Sequence, residues 1–193
     1  MHSNRPFLAV AAALLALAAR PSAAAATAAE PRGPEQFTGV LANTVNGGTI
    51  PIVVHIDSYS PAGDVRALAL LLKDKGQDAV EAALFHMKER GWIRIGSSLG
   101  YEVPLIRSLP TPTGRRIVVV ADRPIQFWEQ WRGTRSVQYP FGMIVLDLDR
   151  SGHGEGRLIA AMRAKFDNGG KVELESFGTE PFRIIGIAPQ PLD

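Results

Sequence analysis

The sequence predicts an α+β protein that is mostly antiparallel sheet: a barrel-like or strongly curved meander of about nine strands with one helical hairpin inserted. Three observations predict it. From Trp92 onward apolar residues follow a period of two. Clusters of glycine, asparagine and proline separate the apolar segments at short intervals. Helical spacing of apolar residues occurs in one stretch only, between positions 60 and 90.

The elements follow in order. Residues 37–45 read as a strand that ends at the turn signal Asn46-Gly47-Gly48. Residues 49–59 carry Ile50, Ile52, Val53, Val54 and Ile56, the β-branched content of a buried strand, so the two segments form a hairpin. Ser60 is placed to cap a helix and Pro61 suits its first position, where a missing N–H costs nothing. Val65, Leu68, Ala69 and Leu72 recur at helical spacing until Gly76. A second helix is expected over 78–90, with Val80, Ala83, Leu84 and Met87 on one face and Gly91 ending it. This pair would cover a sheet face or plug an end.

Strands are expected at 92–95, 101–109, 115–122, 141–149, 155–166, 171–177 and 182–187. Short loops between them imply antiparallel neighbours. Within 155–166, Leu158, Ala160, Met162, Ala164 and Phe166 alternate with Arg157, Arg163 and Lys165, which predicts one buried and one wet face. Closing such a meander into a barrel leaves the fewest bare edges, with a two-sheet sandwich as the alternative.

Residues 1–28 read as a secretory signal. Arg5 precedes a 13-residue apolar run at 7–19, and Ala26-Thr27-Ala28 fits the small-x-small cleavage pattern. The run falls short of the roughly 20 residues that span a bilayer. Residues 29–36, with Pro31 and Pro34, form a linker, and 37–193 form one β-rich domain. The expected location is the periplasm or the extracellular medium. There is no cysteine, so neither a lipid-anchor cysteine nor a disulfide is available and the core alone must hold the fold. The formal charge of +2 overstates the basicity. Two of the 21 basic residues, Arg5 and Arg20, lie in the signal, whereas all 19 acidic residues lie beyond it. The exported part is balanced at 19 against 19, which gives no electrostatic footprint for nucleic acid.

Several motifs carry candidate chemistry. Gly96-Ser97-Ser98-Leu99-Gly100 matches the nucleophile-elbow pattern, and Asp122, Asp147 and His153 follow in the order of a hydrolase triad. The elbow requires a strand, a sharp turn and a helix. Here a strand containing Pro104 follows, so a glycine-serine turn is the simpler account. His55 and Asp57 share a strand face, an arrangement able to orient a general base for Ser98. Asp147-Leu148-Asp149-Arg150-Ser151-Gly152 matches the first half of a calcium loop, with Asp147, Asp149 and Ser151 as ligands. The twelfth position is Leu158 rather than a glutamate, which favours a hairpin turn. The histidines have no zinc spacing, and no cofactor is expected.

The aromatic residues are more suggestive. Trp92, Phe127, Trp128, Trp131 and Tyr139 cluster around a long connection at 124–139, together with Arg123, Arg132 and Arg135. Long connections of this kind often act as lids or binding loops. Their alternative role is to cap the core at one end of the barrel.

Lys75-Gly76-Gln77-Asp78, 87–101 (MKERGWIRIGSSLGY), 114–129 (GRRIVVVADRPIQFWE), 139–149 and Gly154-Glu155-Gly156 together resemble a family of exported bacterial proteins of uncharacterised function. The resemblance spans about positions 37–187. It implies an exported bacterial domain and carries over no catalytic or binding residues.

The resulting expectation is a non-enzymatic exported domain, monomeric, with an apolar or aromatic pocket closed by the helical pair or by the Phe127–Trp131 loop, that binds an apolar or planar small molecule through Trp92, Arg94, Arg123, Trp128 and Trp131. The alternatives are a hydrolase using Ser98 with His153 or the His55/Asp57 pair, and an envelope-protein interaction subunit. Neither nucleic acid nor membrane insertion after signal removal is expected.

Overall fold

The computed structural model describes residues 33–42, 48–125, 138–166, 172–176 and 181–192. Ten strands and two helices lie within them: β1 (Glu35–Ala42), β2 (Thr49–Ile56), α1 (Ala62–Lys75), α2 (Gln77–His86), β3 (Gly91–Ile95), β4 (Tyr101–Val103), β5 (Leu105–Thr111), β6 (Gly114–Ala121), β7 (Phe141–Asp149), β8 (Gly154–Phe166), β9 (Val172–Ser176) and β10 (Phe182–Gln190). The strands pair antiparallel in the order β4-β3-β2-β1-β10-β8-β7-β6-β5, with β9 on β8 beyond the reach of β10.

The two ends of that order are consecutive in the chain, and this nearly closes the sheet into a barrel. The expected strand at 101–109 is in fact β4 and β5, divided at Pro104. Proline offers no N–H to a ladder. The chain therefore bends and passes from pairing with β3 to pairing with β6. The seam is sealed by Ser60, whose N–H donates to the Ile106 carbonyl at 2.7 Å while its hydroxyl accepts from the Ile106 N–H at 3.0 Å. By its position in the sequence Ser60 suits a cap on α1. It is instead buried against β5 and makes no cap, and Pro61 occupies the position before the helix.

Gly76 joins the helices with φ +82°, a conformation that glycine adopts freely. The second helix ends at His86 rather than at position 90, and Gly91 opens β3 instead of closing the helix. A side chain at Gly91 would run into the His55 carbonyl of the paired strand. Other boundaries differ less: β1 begins inside the expected linker at Glu35, and β10 runs on to Gln190.

Strand alternation divides the apolar residues between two cores. Ile52, Ile56, Ile93, Ile117, Ile144 and Leu158 fill the barrel interior at 2% exposure or less. Outside the barrel, Val118, Val120, Met143, Val145 and Ile159 meet Val65, Leu72, Val80 and Leu84 of the helices. The helical hairpin thus covers an outer face rather than plugging an end. The alternation expected along 155–166 is interrupted. Met143 pairs with Ile159 but Phe141 pairs with Met162, so β8 carries an extra residue at 160–161. That bulge sends Leu158 inside, whereas Ile159 and Met162 both lie under the helices.

Candidate functional site

The helices pack against β8, and the outer face of β10, β1, β2, β3 and β4 carries a different kind of surface. Alternation sends Phe37, Val54, Ile56 and Ile93 inward, so Gln36, His55 and Trp92 point outward. Strand register then aligns them. Gln190 opposes Gln36, Gln36 opposes His55, His55 opposes Trp92, and Trp92 opposes Glu102. The result is one continuous row across five strands of the curved outer face.

Contacts run along the row. The Gln190 side-chain oxygen accepts from Gln36 Nε2 at 3.1 Å, and Gln36 Oε1 lies 3.1 Å from His55 Nδ1. His55 Nε2 lies 3.2 Å from Asp57 Oδ1, so a single imidazole is held between an amide and a carboxylate. The His55 and Trp92 rings stack at 5.0 Å with 8° between their planes. Arg94, two residues along the same strand, places its guanidinium 4.8 Å from the centre of the indole. Trp92 is half-buried, while Arg94 and Glu102 are exposed. At the far end Glu89 shares a hydrogen bond with Glu102. That bond, with some desolvation and the neighbouring charges of Glu102 and Asp122, raises the Glu89 pKa, and Arg123 partly offsets the rise.

Of the expected ligand contacts, Trp92 and Arg94 therefore come together, joined by His55 and Asp57. Arg123 lies near the Glu89–Glu102 end, with its own carboxylate partner in Asp122 at 3.6 Å. Trp128 and Trp131 lie outside the described residues. Gln36, Gln190 and Glu102 are the members that sequence reasoning missed. Their outward position follows from alternation, but their alignment depends on register across strands far apart in the chain.

The residues of the alternative hydrolase reading are dispersed. Ser98 sits in the turn after β3, where its hydroxyl accepts from the Ile95 N–H at 3.2 Å. His153 sits in the β7–β8 turn at the opposite end of the barrel, and the His55/Asp57 pair lies at the other end of β3 from Ser98. In the β7–β8 turn, Asp149 Oδ1 accepts from the Ser151 N–H at 2.8 Å, the Ser151 hydroxyl at 2.6 Å and the His153 N–H at 3.1 Å. The Ser151 hydroxyl gives its proton to Asp149, so His153 Nδ1, 3.0 Å away, approaches it as a donor rather than as a base. The Ser151 hydrogen bond is the main reason that the Asp149 pKa is lowered. Asp147, which with Asp149 and Ser151 made up the alternative calcium set, pairs with Arg116 at 2.6 Å. Among the described residues, no three His, Asp or Glu side chains group as a metal site.

A second polar group closes the barrel mouth beside Phe37. Arg115 donates both terminal nitrogens to Glu35, at 3.1 and 2.6 Å, and Tyr59 donates to the same carboxylate at 3.3 Å. Burial first, then the Glu35 charge, pushes the Tyr59 pKa well up. These three residues come from β1, the segment after β2, and β6. Their contacts satisfy one another, which marks them as a structural plug.

No family model matches the chain, and neither does any curated protein or solved structure.

Proposed function

We propose that this chain is an exported, non-enzymatic binding domain. Its ligand is engaged on the outer face of β10, β1, β2, β3 and β4, with Trp92, Arg94 and His55 at the centre and Arg123 at the rim. The observation that carries this reading is the row Gln190–Gln36–His55–Trp92–Glu102, which sets an aromatic ring among amide, imidazole and carboxylate groups. Such a mixture of an apolar surface with a few directed polar groups is what ligand sites are built from. Two further observations support it. Among the described residues the barrel interior is lined mainly by buried aliphatic side chains, and the helical hairpin already occupies another outer face.

This differs from a site inside the barrel or under a lid. It also supports binding over hydrolysis, since Ser98 stands apart from both histidines. The test is native mass spectrometry of the protein purified gently from its exported compartment, beside Trp92→Ala. The expected result is a reproducible bound mass in the wild type that is lost in the variant. An adduct retained by Trp92→Ala overturns the assignment. So does an adduct-free wild type whose Trp92 and His55 resonances do not move when compartment extract is added.

A further inference from the structure

We infer that the occupant of this face is an extended, uncharged oligosaccharide lying across the strands along the row from Gln190 to Glu102. This rests on the reading of the outer face as the binding surface and adds the class of ligand.

Shape is the first argument. Five residues on five adjacent strands are direct cross-strand partners, so the row is unbroken and follows the curve of the outer face. Four interstrand steps of about 4.8 Å give a track roughly 19 Å long. A compact small molecule would use only part of it, whereas a linear chain of rings would follow it.

Chemistry is the second. Sugar hydroxyls both donate and accept, and the track offers both roles beyond the contacts its members already make: the remaining amide positions of Gln36 and Gln190, acceptors at Asp57 and Glu102, and a donor at Arg94, while both His55 nitrogens are taken by Gln36 and Asp57. An indole adds an apolar surface for the ring C–H groups. Arg94 covers that indole now. Arg94 is exposed, and a cation–π contact at an exposed site is weak. A sugar ring can take its place, leaving the guanidinium free to donate to a hydroxyl while the His55 stack holds the indole.

Charge is the third argument. Along the track one arginine stands against the carboxylates of Asp57 and Glu102, with Glu89 beside the latter. With Arg123 at the rim balanced by Asp122, the described residues show no positive surplus to attract a polyanion, so nucleic acid and acidic polysaccharides are disfavoured. An extended peptide would pair by its main chain with a free strand edge. β10, β1, β2 and β3 are each already paired on both sides, and the remaining strand of the face, β4, presents an edge of only three residues, too short to seat an extended peptide.

The test is calorimetric and NMR titration of the exported domain with cello- and chito-oligosaccharides, from a single ring to a hexamer, and with oligogalacturonates of equal length. Neutral chains are expected to bind more tightly with each ring up to about four, one per interstrand step. Trp92→Ala should weaken the tetramer about tenfold or more. Trp92→Phe, which keeps an aromatic ring and protects the fold, should recover most of that loss. Gln190→Ala should weaken the tetramer and leave the dimer unchanged. Three results overturn the inference: no binding of either neutral series, affinity independent of length, or tighter binding of the acidic series. If an acidic oligosaccharide or a peptide binds and is lost in Trp92→Ala, the face remains the binding surface and only the ligand class is wrong. If neutral chains bind equally well to folded Trp92→Ala, the face reading itself is wrong.

Discussion

Replacing Ile117 with alanine tests whether the barrel interior is solid, on which the placement of the ligand outside depends. Ile117 lies on the inner face of β6 at 0% exposure, opposite Ser108 on β5 and Leu146 on β7. The change removes three buried carbons. At about 0.8 kcal/mol each the transfer term is roughly 2.4 kcal/mol. The unfilled space adds to it, because neighbours anchored in β-ladders relax only in part, and the total should be about 3.5 kcal/mol. For a domain of this size that corresponds to a drop in Tm of roughly 10 °C. Urea unfolding followed by tryptophan fluorescence and circular dichroism would measure it, with an unchanged slope showing that the unfolded state is not the cause. A loss under about 1 kcal/mol would mean that the interior has slack. The barrel would then have room for an internal ligand.

Three other outcomes follow from the geometry. The raised Tyr59 pKa means that above pH 10.0, its ordinary value, the unfolded chain loses a proton that the folded protein keeps, so stability present below that pH is lost as pH rises. Tyr59→Phe should flatten the alkaline fall in Tm, and identical alkaline profiles for the two proteins would refute the Glu35–Tyr59–Arg115 plug. The Asp149 carboxyl should titrate below its ordinary 3.8 in a carbon-detected NMR titration and move back up in Ser151→Ala; no movement would show that the turn hydrogen bond is not its cause. Gly91→Ala forces a methyl group onto the His55 carbonyl and should cost about 3 kcal/mol, the upper end for overpacking, with His55 and Trp92 resonances displaced; a variant as stable as the wild type would mean that β2 and β3 do not approach as described.

The sequence by itself determined the class of fold, because strand alternation and turn chemistry are local. Ile52 to Ile56 and Ile117 to Ala121 read as strands from their side chains alone, and Gly76 marked the joint of the helical hairpin. Local signals misplaced what the tertiary structure had recruited. Ser60 reads as a helix cap, yet its hydroxyl serves Ile106, 46 residues away. Pro104 reads only as a helix breaker, yet it is where the chain passes from one end of the sheet to the other. The bulge at 160–161 adds one residue to β8, and nothing in an alanine pair announces it. The candidate site shows the same limit. Trp92 and Arg94 stand out as residue types, and their spacing places them on one strand face. Their alignment with His55, Gln36, Gln190 and Glu102 is a matter of register among strands separated by up to 154 residues, and register is set by how whole faces pack into the two cores.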